Sequence, residues 1–423
     1  MNGFKGQHQF RAIGADANQD NLLQNGEMQD TIFEANWDQA REIVHSHATR
    51  LGSETVAIDD CHGRVLAESI VALSDMPPFA AARVDGWAVS GAGPWTSLGD
   101  VTAGHEGFPS INPGQCVHIA TGAVVPSGTT ACLKDEESLL DNGQVSAHLG
   151  AVDILVNDAL PEGHDIRPVG FEAHAGEVVV AHGTRVTPGI VGIIAAAGHD
   201  SVKVFRRITI DVIVFGDELL KSGTSRDGKV RDSLGPQLPA WINYLGAQLL
   251  SVTHVQDTLE AHIKAIQNST ADLIITTGGT AAGPVDHLHQ AIVDCDGHML
   301  IDAVMIRPGY HQLFAELSGR FLLGLPGNPQ SAIIGLLSLG LAFIDGAQDR
   351  PLPDLSRFPA GCAIKAPSHE IRMALCTLEG QAVFPVEHLD SSMLRGFSQA
   401  TGYALIPPGG VVTGDLVRWL NLP

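Results

Sequence analysis

The chain has 423 residues, too many for one hydrophobic core, so two to four domains are expected. A hydrophobic fraction of 44% marks a globular protein, and a net charge of −22, from 25 Lys+Arg against 47 Asp+Glu, argues against nucleic acid as a partner. The 47 glycines and 23 prolines call for many turns and hence much β structure. The cysteines (Cys61, Cys116, Cys132, Cys295, Cys362, Cys376) are scattered without a CxxC pair, which indicates neither a zinc site nor a disulfide framework. No apolar run is read as reaching the ~18 residues of a membrane span, and MNGFKGQHQF lacks a signal peptide's apolar core. A cytoplasmic protein with no membrane association is the expectation.

Residues 1–35 are polar and without sustained periodicity, and are read as a flexible extension. A helix is predicted from Asn36 as cap, with Trp37, Ala40, Ile43 and Val44 on one face. Met76 to Val89, MPPFAAARVDGWAV, reads as a loop entering a strand, with Asp85-Gly86 as a turn. Short alternating runs continue to about Asp165 and include Thr121 to Glu137, whose acidic end (Asp135, Glu136, Glu137) suits a solvated turn or a site. In His164 to Pro188, Thr187 caps a helix with Pro188 in its first position, and the apolar run Ile190 to Ala197 ends at Gly198.

At Ile208 the pattern becomes strand and helix in alternation, which predicts a doubly wound, mostly parallel sheet. Helices are expected from about Pro236 to Leu245 and Thr258 to Gln267, and strands over Leu249 to Val255 and Asp272 to Thr277. Ligands of such sheets sit at the carboxyl ends of the strands. Asp217, Glu218, Gly278 and Gly279 fall at such ends, as do Asp232 and Asp286 by loop reach. Gly278-Gly279, followed by Thr280 and Gly283, can be an ordinary βα turn or a loop whose bare N–H groups hold a phosphate. The carboxylates can each close a turn or cap a helix, or together hold Mg²⁺ on a pyrophosphate, with Asp217, Glu218 and Asp286 as metal ligands. His287 and His289, two apart, do not share a helical face and are not read as ligands.

Asn328 and Pro329 in GLPGNPQSAIIGLL read as a helix cap and first turn, and past Pro351 the chain alternates as a small β-barrel would.

Several of these stretches, in order and over roughly residues 36 to 421, resemble the molybdopterin molybdenumtransferase family of molybdenum insertases, to which MoeA and the gephyrin E domain belong. Met76 to Val89 is similar to PPFDNSAMDGYAV, with Ala80, Ala81 and Ala82 in place of the polar run and Arg83 added. Thr121 to Glu137 resembles TGAPVPEGADAVVMQEE, Gly216 to Leu219 is the family's GDEL, and Val230 to Leu234 stands for IYDTN with Leu234 replacing Asn. TTGGTAAGPVDH resembles the molybdopterin-binding loop, keeping Gly278, Gly279, Gly283 and Asp286. MIRPGYHQLF matches AIKPGKPFAF with Arg307 and Tyr310 for its two lysines around Pro308 and Gly309. GLPGNPQSA is close to GLPGNPVSA and places Ser331 near the oxyanion, while Arg372 and Ser391-Ser392 fall on the C-terminal pattern.

The resemblance implies a multidomain α/β plus β fold. A flexible extension spans 1–35 and an elongated connecting domain 36–75 and 166–205. A β-rich domain is inserted at 76–165, an α/β molybdopterin-binding domain covers 206–350, and a β-barrel covers 351–423. It also implies a homodimer in which adenylylated molybdopterin and molybdate are substrates, Mg²⁺ is required, AMP leaves, and molybdenum (or tungsten) reaches the dithiolene. Asp85, Asp217, Glu218, Asp232 and Asp286 would be catalytic. Gly278, Gly279, Thr280, Gly283, Arg307, Pro308, Gly309, Tyr310, Ser331, Arg372 and Ser392 would bind the ligand. The departures at Ala80 to Ala82, Leu234 and Tyr310 leave three possibilities: a divergent insertase, a non-catalytic paralogue that binds the cofactor, or a hydrolase of another pyrophosphate-containing nucleotide. The retained carboxylates favour an enzyme.

Overall fold

The computed structural model describes residues 31–104, 110–148, 155–156, 159–281, 286–387 and 390–422. Its largest body is a seven-stranded sheet in the order Ile32–Ala35, His298–Val304, Leu313–Leu317, Arg320–Leu325, Leu273–Thr277, Thr209–Phe215, Gln248–Val255. Only Leu313–Leu317 runs against the others. Thr209–Phe215, Leu273–Thr277 and Arg320–Leu325 are apolar and almost wholly buried, as strands covered on both faces must be. The helices Leu234–Tyr244, Leu259–Asn268 and Leu288–Asp294 follow within two residues of the sequence expectation where that was given. Thr258 caps the second by accepting from the Ala261 N–H.

Two parts of the chain lie elsewhere than expected. Ile32–Ala35, assigned to the flexible extension, is an edge strand of this sheet, parallel to His298–Val304 with Ile32 opposite Ile301. The helix Trp37–His47 has the predicted Asn36 cap, which accepts from the Gln39 N–H, and the predicted face. Yet Trp37, Ala40 and Val44 pack into the α/β core with Phe343 and Ala347, not into a connecting domain. The Trp37 indole donates to Ser338 at 2.8 Å, which fixes the helix on the one spanning Pro329–Ala347.

That last helix corrects the expectation about apolar runs. It is 19 residues long with mean hydropathy 1.5, enough by length and composition to cross a membrane, and 89% of the apolar window is buried inside the fold. It is the central core helix of the α/β body, with a π turn at Leu336–Gly340.

Ser53–Ala57 pairs antiparallel with Ser201–Phe205, and Ile70–Val71 with Val178–Val180, around a small core of Leu66, Ile70, Ile194 and Val204. Thr187 caps Pro188–Ala196 as predicted, accepting from the Ile190 N–H. The β-rich insertion is built on a sheet of Gly86–Val89, Trp95–Val101, Gln115–Ile119, Ala131–Lys134, Gln144–His148 and Leu155–Val156, with Ser138–Asp141 beside Gln144–His148. After residue 351, Ser356–Pro359, Ile371–Glu379, Ala382–Pro385, Gly402–Ile406 and Leu416–Asn421 form the C-terminal sheet. A bridge between Ala360 and Val383 brings its first strand back to the hairpin, which rolls the sheet into a barrel over Ala374, Cys376, Ala404 and Trp419.

The two-residue strand Ile306–Arg307 joins barrel to α/β body. It pairs parallel with the start of Ile371–Glu379, while the Met305 N–H donates to the Ala35 carbonyl at the sheet edge. This puts the 305–314 segment between the two bodies, where a cleft opens.

Candidate active site

Leu273–Thr277 ends at the glycine loop. Gly278 has φ +85°, and a Cβ there would lie 3.3 Å from the Phe215 carbonyl oxygen, so both backbone shape and proximity demand glycine. Its N–H donates to the Leu325 carbonyl at 2.9 Å, so that group ties the loop to the next strand instead of facing a ligand. Gly279, also at positive φ, packs over His262 and Leu288, and Thr280 is buried. Gly283 lies outside the described residues.

In front of this loop is a cleft of about 680 Å³ lined by Glu218, Asp232, Ser233, Thr277, Gly278, Asn328 and Ser392 among others. A second cleft of about 880 Å³ is lined by Glu34, Arg307, Pro308, Gly309, Tyr310, Ser331, Lys365, Glu370, Arg372 and Asp390 among others. Asn328 borders both, so they meet at the start of the Pro329–Gly335 helix. Here Pro329 is at the first turn as predicted, but the Asn328 side chain makes no cap hydrogen bond and is left to the clefts.

The carboxylates do not gather as a metal site. Asp232 is buried and fully engaged: one oxygen accepts from the Leu234 and Gly235 N–H groups, both at 2.9 Å, and the other faces His254 Nε2 at 2.7 Å. It caps the Leu234–Tyr244 helix, the separate-role alternative open in the sequence. The Asp217 N–H donates to Asp257 at 3.1 Å and its side chain lines neither described cleft, whereas Glu218 stands exposed in the glycine-loop cleft. Asp286 precedes the Leu288–Asp294 helix and lines neither cleft. Among the described residues no group of three or more His, Cys, Asp or Glu side chains could hold a metal ion. The donor set expected for Mg²⁺ (Asp217, Glu218, Asp286) is therefore not assembled among the described residues.

Asp85 is elsewhere again. It sits before Gly86–Val89 in the β-rich domain and accepts from the Thr121 N–H at 2.7 Å, which holds its carboxyl below the usual range. Two of the sequence stretches singled out above, Met76 to Val89 and Thr121 to Glu137, thus meet through this bond, and neither lines the two clefts. Arg83 turns from them as well and stacks over the Phe171 ring at 4.7 Å.

In the larger cleft both altered positions are occupied by partners. Arg307 Nε donates to Glu370 at 2.8 Å, which raises the guanidinium's pKa further. The Tyr310 hydroxyl donates to Glu34, and this bond pushes the phenol up to about 12. Glu34 itself has φ 55°, a left-handed conformation that costs about 1 kcal/mol in a non-glycine residue. Arg372 donates to the Lys365 carbonyl at 2.7 Å. Asp390 accepts from the Ser392 hydroxyl and N–H at 2.6 and 3.0 Å and is held low by them. Ser331 is buried at the cleft floor.

Residues that the sequence did not single out complete this geometry: Glu34, Lys365, Glu370, Asp257 and His262. His262 is 0% exposed, stacks on Phe215 with centroids 3.6 Å apart, and has no hydrogen-bond partner among the described residues on either ring nitrogen. Asp257 is the nearest charge, 3.7 Å from Nε2. Burial lowers the imidazole's pKa, with Asp257 opposing. The available signal was a histidine on the apolar stripe of Leu259, Ile263 and Ile266.

Comparison with known proteins agrees with this architecture. The MoeA N-terminal region (domain I and II) matches residues 35–198, and a probable molybdopterin binding domain matches residues 211–345. A molybdopterin molybdenumtransferase of Staphylococcus epidermidis is 29% identical over 308 residues, 70% of this chain and 71% of the relative. One from Staphylococcus aureus is 28% identical over 308 residues, again 70% and 71%. A solved molybdopterin biosynthesis MoeA protein from Pyrococcus horikoshii superposes with TM-score 0.73 and 25% identity, over 92% of this chain and 99% of that one. A second MoeA structure from the same organism gives 0.76 at 20% identity, over 92% and 100%, which supports the fold. The two matched regions and the relatives make the chain a member of the MoeA family of molybdenum cofactor biosynthesis proteins.

Proposed function

We propose that the protein is a molybdopterin molybdenumtransferase that inserts molybdenum from molybdate into adenylylated molybdopterin and releases AMP. The observation that carries this is the pair of clefts meeting at Asn328. One is walled by the glycine loop, and the other by Arg307, Lys365 and Arg372. A nucleotide-linked pterin in the first cleft would bring its dithiolene end toward an oxyanion in the second, and the shared helix start at Pro329 faces both. Confinement of this kind turns a two-substrate transfer into a local one.

The chain's own residues have limited tasks in this reading. Gly278 holds the loop close to Phe215 and adds no side chain of its own to the cleft. Arg372 and Lys365 supply cations against an otherwise acidic molecule, and Ser331 offers a hydroxyl at the cleft floor. Glu218 is the carboxylate left to meet a nucleotide-borne cation, and any Mg²⁺ requirement would rest on that nucleotide more than on a preformed protein site. Asp85 and Thr121 line neither cleft and belong to the reading only if a second copy presents them, so a homodimer is part of it. Action in the cytoplasm is part of it as well.

The test is AMP release from adenylylated molybdopterin by the purified protein, with and without molybdate and Mg²⁺, and with Arg372→Ala. Release that requires molybdate and is lost in the variant supports the transferase. Release indifferent to molybdate would mean a hydrolase, and tight binding without release a cofactor-binding paralogue.

A further inference from the structure

The cleft between sheet edge and barrel carries three cations, Arg307, Lys365 and Arg372, and three carboxylates, Glu34, Glu370 and Asp390. Most are already committed. Arg307 and Arg372 lie directly opposite each other across two parallel strands, an arrangement of like charges that is unfavourable without a counter-charge. Glu370 supplies it and takes Arg307 at 2.8 Å. Asp390 accepts from Ser392 and Glu34 accepts from Tyr310. Arg372 gives one nitrogen to a carbonyl, that of Lys365, and forms no ion pair among the described residues. The Lys365 ammonium has neither a hydrogen bond nor an ion pair among the described residues, and its side chain is exposed in the cleft wall.

We infer that Lys365 is the principal oxyanion-binding cation of this chain, acting beside Arg372 on the barrel wall, while Arg307 is neutralised by Glu370 and Glu34 repels from the facing wall. This rests on the transferase reading above. An ammonium with no competing carboxylate gives up only water when an anion arrives, whereas Arg307 would first have to share Glu370. Its flexible four-carbon stem lets it follow an oxyanion of variable position, and three donors suit a tetrahedral one.

The experiment is calorimetric titration of the full chain with molybdate, for wild type, Lys365→Gln, Lys365→Arg and Glu34→Gln, at low and raised potassium chloride. Loss of one charge-assisted contact predicts binding weaker by roughly tenfold or more in Lys365→Gln. Lys365→Arg should stay close to wild type. Glu34→Gln should bind more tightly, and the salt dependence should be shallower in Lys365→Gln. In turnover, Lys365→Gln should raise KM for molybdate with little change in kcat. Wild type that binds molybdate alongside an unaltered Lys365→Gln would overturn the assignment and leave the transferase reading standing. Equal loss in Lys365→Gln and Lys365→Arg would overturn it too, since a charge role is rescued by arginine. Wild type that binds no molybdate at any salt would overturn both together.

Discussion

Replacing His262 by leucine should stabilise the protein, and more so in acid. The imidazole is 0% exposed and neither nitrogen has a hydrogen-bond partner among the described residues. A buried polar group left unsatisfied costs about 1–3 kcal/mol. Leucine fills a similar volume without that cost, but gives up the stack on Phe215 at 3.6 Å, worth about 0.5–1.5 kcal/mol. The balance at pH 8 is a gain of about 1 kcal/mol, or a rise of roughly 2–4 °C in the transition of a domain this size. The pH dependence follows from burial, which holds the folded imidazole below its ordinary value of about 6.5. Between the lowered folded value and the unfolded one, the unfolded chain binds the proton and the native one does not, so wild-type stability falls as pH drops through about 6.5. The variant lacks this loss, and its advantage should widen from pH 8 to pH 5.5. Scanning calorimetry at the two pH values measures both effects. A variant less stable at pH 8, or an advantage that does not grow in acid, would refute the account of His262 as a buried imidazole, without a hydrogen bond among the described residues, whose protonation burial disfavours.

Asp232→Ala removes a helix cap that receives two N–H groups and the partner of His254, and should cost about 2 kcal/mol by urea denaturation. A loss of activity with unchanged stability would instead give Asp232 a catalytic role. Gly278→Ala forces a side chain into φ +85° against the Phe215 carbonyl, so it should lower stability by about 1–2 kcal/mol and weaken nucleotide binding. Both are read from one melting curve and one titration. Because Glu34 pushes the Tyr310 phenol up to about 12, Tyr310 should remain protonated through pH 9, and Tyr310→Phe should leave the alkaline limb of the activity profile in place. Disappearance of an alkaline limb in Tyr310→Phe would contradict the bond to Glu34.

What was legible in the sequence depended on how local its cause is. Asn36 and Thr187 announce their helices because a cap bonds within three residues. The alternation after Ile208 gave the parallel sheet because buried strands are apolar throughout. The edge strand Ile32–Ala35 was missed because its middle residues, Phe33 and Glu34, are exposed and its partner lies near Ile301. The membrane-length run Pro329–Ala347 was passed over because its composition serves a core as well as a bilayer, and only burial separates the two. The same limit applies to the site. Asp217, Glu218, Asp232 and Asp286 share a sheet edge in sequence logic, but whether a carboxylate is free depends on partners such as His254, against Asp232, that no motif specifies. Likewise Arg307 reads as a replacement oxyanion ligand until Glu370, far along the chain, is found against it.

The central claim is that the two clefts act as one transfer site, so each adenylylated molybdopterin cleaved should yield one metallated pterin. The most direct measurement is single-turnover quantification of AMP released and of molybdenum bound to the product pterin, with molybdate supplied in excess. Equal amounts of both, each lost when Arg372 and Lys365 are replaced together, are the predicted result. AMP formed in full without molybdenum on the pterin would contradict the coupling of the clefts and with it this account of the enzyme.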